Sequence, residues 1–196
     1  MPLHVIDPAR PLPHPPDRVL VAGGSGAGKT TVAGKLAALF GLPRIELDAL
    51  YYGPGWTVRP GFAEDVERAT RQPRWVTEWH YPEVNGVLAD RADLLVWLDY
   101  PTGLTMTSLL LRTLQRSLHR EVLWSGNQEA PLRTVFTDPE NILRYGWATR
   151  HGTRDELRAL AAAGRGDGPC VLRFTRPAEL ARWLIRQGHE RSVARA

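Results

Sequence analysis

Apolar positions along the 196-residue chain alternate between two rhythms. Short continuous apolar runs, the mark of strands buried on both faces, occur at residues 18–22 (RVLVA), 74–80 (RWVTEWH), 94–99 (LLVWLD) and 170–174 (CVLRF), with a further strand read at 44–48 (RIELD). Between them apolar residues recur every three or four positions and predict helices at 31–40 (Val32, Leu36, Leu39), 62–69 (Phe62, Val66, Ala69), 84–91, 102–121 and 177–186 (Leu180, Trp183, Leu184). Another helix is opened by Asp138 as N-cap and Pro139 at the first position, and runs, with a break near Gly152, to Gly164. Gly41 and Pro43 stop the first helix in the expected order. Five strands alternating with helices predict an α/β fold, a parallel sheet covered on both faces.

The punctuation divides the chain into a Pro-rich arm (1–17), one domain (18–187) and a polar, frayed tail (188–196). The arm holds six prolines and is read as extended, touching the body through Val5 and Ile6. Tyr51 to Pro60, YYGPGWTVRP, is a loop that either closes over a substrate ring, with Trp56 and Arg59 as contacts, or packs on the surface.

The first strand runs into GGSGAGKT, residues 23–30. Gly23, Gly28, Lys29 and Thr30 occupy the defining places of a phosphate-binding P-loop, and the strand before and helix after supply the context that the motif requires. Glycine lets backbone N–H groups turn toward phosphate oxygens, Lys29 reaches the β- and γ-phosphates, and the Thr30 hydroxyl is placed to ligate Mg²⁺. The following helix adds its N-terminal partial charge. All but two of the 25 basic residues are arginine, yet a lysine stands where a compact ammonium is wanted.

Carboxylates at strand ends face the ligand side of such a sheet. Asp48 either steers Mg²⁺ through water, takes a proton from an acceptor hydroxyl, or serves as a turn carboxylate. Glu78 either holds the Mg²⁺ water shell and orients a nucleophile or is a structural carboxylate. Asp99, before Pro101, reads as the cap of the next helix. Arg112, Arg116 and Arg120 are four apart and share a helix face, either solvated or arranged to bracket a polyphosphate.

Composition narrows the classes. Hydrophobic content of 43% and charged content of 23% suit a globular protein, and no apolar run approaches the ~20 residues of a membrane span. A cytoplasmic location is expected. Cys170 has no second cysteine to pair with and lies in an apolar run. The net charge of +4 is dispersed, with no metal finger or helix-turn-helix, so nucleic acid is not the favoured partner. The guanine-reading Asn-Lys-x-Asp is absent.

With the P-loop, the segments IELDALYYGPGW, WVTEWHYPEV, ADLLVWLDYP and LLRTLQRSLHREVLWSGNQE, the chain resembles the adenylate-kinase-related proteins of the topology modulation type across about residues 18–185. The resemblance implies a three-layer P-loop NTPase fold with strand order 2-3-1-4-5 and a helical, Arg-bearing lid at about 110–137. It implies that Gly23, Gly24, Ser25, Gly26, Ala27, Gly28, Lys29, Thr30 and Thr31 hold ATP phosphates and Mg²⁺, that Asp48 faces the acceptor, and that Arg112, Arg116 and Arg120 serve as lid arginines. The turn Thr175-Arg176-Pro177 would border adenine through backbone groups. Where the family usually has Asp-Gly-Asn-Tyr, this chain has Glu78-Trp79-His80-Tyr81, and a differing acceptor pocket is expected. The implied activity is ATP- and Mg²⁺-dependent phosphoryl transfer to a small acceptor, nucleotides among the candidates. The alternative is an ATP-binding regulator, with DNA as a conceivable partner.

Overall fold

The computed structural model describes residues 5–12, 14–119, 124–127, 142–163 and 168–193. Among them, five strands form one parallel sheet: β1 (Val5–Ile6), β2 (Arg18–Gly23), β3 (Trp75–Glu78), β4 (Leu94–Leu98) and β5 (Cys170–Phe174), in the order β1-β5-β4-β2-β3. The pairing register sets Val21 against Glu78 and Gly23 against Leu98, so the P-loop leaves the sheet between the ends of its two neighbours. The relative order of the four long strands is the one expected.

The two ends of the sheet differ from expectation. Residues 44–48 do not form a strand. Arg44 makes a single parallel bridge to Val76, and the chain then turns into helix α2 (Leu47–Tyr51). The sequence LDALY supplies helix formers, and Asp48 sits favourably in the first turn, so the local helix wins over a longer ladder. At the other end β1 pairs with Val171 and Leu172 of β5, making the Pro-rich arm the sheet's edge. Arg186 reaches across to the Pro8 carbonyl and holds that arm down.

Helices cover both faces. On one face α1 (Lys29–Phe40) and α8 (Pro177–Val193) close over a core that includes Val19, Val21, Leu36, Phe40, Phe174 and Trp183. On the other, α3 (Phe62–Ala69), α4 (Pro82–Arg91) and α7 (Gly152–Ala163) cover Leu20, Trp75, Trp79, Leu88, Leu95 and Leu157. Helix α5 (Thr102–His119) follows β4, and α6 (Ile142–Ala148) precedes α7, the chain breaking between them at 149–151. The helix start read at Asp138 lies outside the described residues. The expected polar tail is helical as far as Val193: Gln187 is buried and donates to Glu190 at 2.7 Å, and Arg191 lies 5.2 Å over the Phe40 ring. Among the described residues no helix is long and apolar enough to cross a membrane.

Candidate functional site

The loop between β2 and α1 has the left-handed turns that its glycines allow, with Gly26 at φ 79° and Gly28 at φ 86°. Gly26 meets a second constraint. A Cβ there would lie 2.1 Å from the Thr105 carbonyl oxygen and 2.9 Å from the Leu109 Cβ, because α5 crosses directly over the loop. Gly146 of α6 is equally tight against Leu109 (2.5 Å) and Ser25 (3.3 Å). The loop is thus gripped by the helix that carries Arg112 and Arg116. Gly28, Thr30 and Thr31 stay exposed.

Lys29 is buried. Its Nζ donates to the Gly23 carbonyl at 2.9 Å and to Gly24 at 3.4 Å. Burial lowers its pKa, with Arg112 acting the same way, while Glu78 and Asp48 oppose the shift. These groups therefore converge from four elements: α1, the end of β3, α2 and α5. Glu78 is raised by burial and by Asp48, and drawn back by Lys29, the neighbouring Thr30 hydroxyl and Arg44.

Asp48 accepts a 2.6 Å hydrogen bond at Oδ1 from Tyr81, which opens α4. Burial and Asp48 together push the Tyr81 phenol far up, so it donates at any physiological pH. Tyr81 stacks on Tyr51 at 4.3 Å, and Phe62 meets both rings edge-on at 4.9 and 5.0 Å. Tyr52 lies beside Tyr81 and carries Trp56 on its edge at 5.0 Å. The sequence placed Tyr81 in the Glu-Trp-His-Tyr motif but gave no sign of its bond to Asp48, which spans 33 positions.

Trp79 and His80 divide their labour. Trp79 turns into the core, 2% exposed, and its indole N–H donates to Glu156 of α7 at 2.9 Å. His80 turns toward the site, where burial, then Lys29 and Arg112, lower its pKa to about 4 against the pull of Asp48. The imidazole is neutral at pH 7.

Arg112 is thus brought to the site, and Arg116 follows one turn later on α5; Arg120 lies outside the described residues. The described part of the expected lid includes Trp124 to Asn127, which docks on the 46–57 segment. The Trp124 indole donates to Glu46 (3.0 Å), Ser125 Oγ to the Tyr52 carbonyl (2.8 Å), and Asn127 Nδ2 to the Gly53 carbonyl (2.9 Å), while Asn127 Oδ1 accepts from Trp56 N–H (3.2 Å). Arg59 bonds the Leu50 carbonyl and Asp65.

The backbone amides of Thr175 and Arg176, in the turn expected to border adenine, donate to the Glu179 carboxylate at 3.0 and 3.2 Å. One reading is corrected: Asp99 is not a helix cap. Its side chain, 4% exposed, is clamped by Arg154 of α7 (2.6 Å) and Arg173 of β5 (2.8 Å). Beside this clamp and Gly24 lies a polar pocket of about 20 Å³, room for no more than a water.

Among the described residues no three His, Cys, Asp or Glu side chains form a ready metal cage. The Thr30 hydroxyl with Glu78 and Asp48 nevertheless supplies hard oxygen donors of the kind Mg²⁺ uses when it keeps its waters and is shared with phosphates.

No family model matches the chain, and no curated protein matches it. Solved structures do. Shikimate kinase from Acinetobacter baumannii in complex with shikimate superposes with a TM-score of 0.51 at 18% identity, covering 90% of this chain and 93% of that one. A gluconokinase from Sinorhizobium meliloti 1021 gives a TM-score of 0.49 at 18% identity, over 90% and 94% of the two chains. At this identity the likeness speaks to the fold alone.

Proposed function

We propose that the protein is an ATP- and Mg²⁺-dependent phosphotransferase that moves the γ-phosphoryl group of ATP to a hydroxyl of a small acceptor. The observation that carries this reading is the convergence of a buried P-loop lysine with Asp48, Glu78 and Arg112 at the mouth of a solvent-facing phosphate loop. The resemblance to adenylate-kinase-related proteins of the topology modulation type supports it, as does the fold shared with a shikimate kinase.

The roles follow from position. The N–H groups of residues 23–31 and the N-terminus of α1 would hold the phosphate oxygens. Lys29 and Arg112 would offset charge as the phosphoryl group moves, and Arg116 would extend that compensation along the polyphosphate. Thr30 would hold Mg²⁺, with Glu78 on its water shell; the ion, when bound, neutralises the phosphate oxygens. On the acceptor side Asp48, fixed at Oδ1 by Tyr81, would take the hydroxyl proton as the new O–P bond forms and the bond to the ADP oxygen breaks. Asking so little covalent chemistry of the protein, the reaction rests on positioning.

The test is ADP release from Mg-ATP with a panel of hydroxyl acceptors. Acceptor-stimulated release that falls by at least about a thousandfold in Lys29→Ala, with the fold intact by circular dichroism, is the expected result. Unchanged turnover in that variant would refute the assignment. Binding of ATP with no stimulation by any acceptor would favour a regulator instead.

A further inference from the structure

The wall across the loop from Lys29 is acidic and aromatic. It offers the carboxylates of Asp48 and Glu78, the phenols of Tyr52 and Tyr81, and the imidazole of His80. Two arginines flank it among the described residues, and carboxylates engage both. Arg44 is divided between Glu46 at 3.2 Å and Glu78 at 3.7 Å. Arg59 spends one nitrogen on the Leu50 carbonyl and another on Asp65, at 3.1 and 3.2 Å. Among the described residues, Lys29 and Arg112 face the wall from the P-loop and α5, on the side of the migrating phosphoryl group.

From this charge pattern we infer that the acceptor is an alcohol carrying no negative charge, neutral or cationic, and not a phosphate monoester or a carboxylic acid. The inference rests on the phosphotransferase reading. An anionic group on this side meets two carboxylates, and each flanking guanidinium already has a carboxylate partner. Like charges roughly 6 Å apart near a protein surface disfavour binding by about a hundredfold. A hydroxyl meets the opposite situation. Tyr81 fixes Asp48 through Oδ1 and leaves Oδ2 to accept from it, and the Tyr51, Phe62 and Tyr81 rings supply an apolar edge.

The experiment uses matched pairs that differ in charge: nucleosides against their monophosphates, aldoses against their aldonic acids, and amino alcohols against hydroxy acids of equal length. Binding to the full chain is measured by calorimetry with a non-hydrolysable ATP analogue and Mg²⁺, and transfer by ADP release. Uncharged or cationic members should bind and turn over at least about tenfold better than their anionic partners. Glu46→Gln keeps the hydrogen bond to Trp124 and removes one charge from Arg44, so it should narrow that preference about threefold. Preference for the anionic members overturns the inference, as does failure of every uncharged or cationic member to bind. Failure of the kinase reading shows separately, as ADP release that does not depend on Lys29. If acids are preferred and Lys29 dependence persists, the phosphotransferase stands and this acceptor class falls.

Discussion

Replacing Asp99 by Asn tests how the P-loop side of the sheet is braced. Asp99 closes β4, and its buried carboxylate joins Arg154 of α7 to Arg173 of β5. Arg154 also donates to the Tyr100 carbonyl at 3.2 Å, and Arg173 lies 4.9 Å over the Trp97 ring, so one carboxylate ties a helix and two strands together. Burial alone would raise its pKa, but the hydrogen bonds and charges of Arg173 and Arg154 outweigh it and hold the carboxyl below the ordinary value. Breaking a buried pair by removing one partner costs about 3–5 kcal/mol. Because the two arginine side chains are 25% and 41% exposed and can turn to water, the lower figure, about 3 kcal/mol, applies. In a chain of this size each kcal/mol moves the midpoint by about 2–4 °C, so Asp99→Asn should lower Tm by roughly 6–12 °C at pH 7.

The choice of Asn separates a clamp from a cap. Asparagine caps helices as well as aspartate does, so a capping role predicts almost no change. The pH dependence gives a second reading. A depressed carboxyl pKa stabilises above the unfolded value, about 4, and that contribution is lost as pH falls through the native value. The gap between wild type and variant should therefore be full at pH 7 and shrink below about pH 4. Thermal melts followed by circular dichroism measure both. A Tm within about 2 °C of wild type at pH 7, or a gap that does not close in acid, refutes the clamp.

His80 is held neutral with a pKa of about 4, below its ordinary 6.5, so the unfolded chain binds its proton first and stability falls as pH drops from about 6.5 to 4. His80→Asn should remove up to roughly 3 kcal/mol of that slope in urea titrations, and an unchanged slope would show that the imidazole is not held this way. Gly26→Ala forces a Cβ to within 2.1 Å of the Thr105 carbonyl, so it should destabilise by more than about 2 kcal/mol and weaken ATP binding together. Normal stability in that variant would mean that α5 does not rest on the loop as described.

The legible parts of this chain were local. GGSGAGKT declares its geometry within eight residues, and the apolar runs around it place four of the strands without reference to anything distant. Asp48 was read at the end of a strand and sits instead on a five-residue helix, yet it still reaches Lys29, because the turn after Arg44 leaves it at the same end of the sheet. What failed was partner assignment. Asp99 followed by Tyr-Pro looks like a cap until folding brings up Arg154 and Arg173, 55 and 74 positions away. Trp79 stands where the resembled family usually has Gly, and Glu156, 77 positions on, gives its indole N–H a partner inside the core. Strand alternation then sends the next residue, His80, toward the site.

The same long-range pairing explains the segment WSGN. Among the described residues the non-glycine positions with positive φ are Trp56, at 59°, and Ser125, at 56°. They sit on opposite sides of one contact, where Asn127 bonds both Trp56 N–H and the Gly53 carbonyl. A left-handed conformation costs a non-glycine residue of order 1–3 kcal/mol and persists where surroundings over-determine it. Here the surroundings are four side-chain hydrogen bonds between the 46–57 and 124–127 segments, two of them made by the buried Asn127. Through these bonds each segment holds the other's strained backbone in place. The aromatic edge built on Tyr52 is consequently tied to the segment 124–127, which follows α5 in the chain.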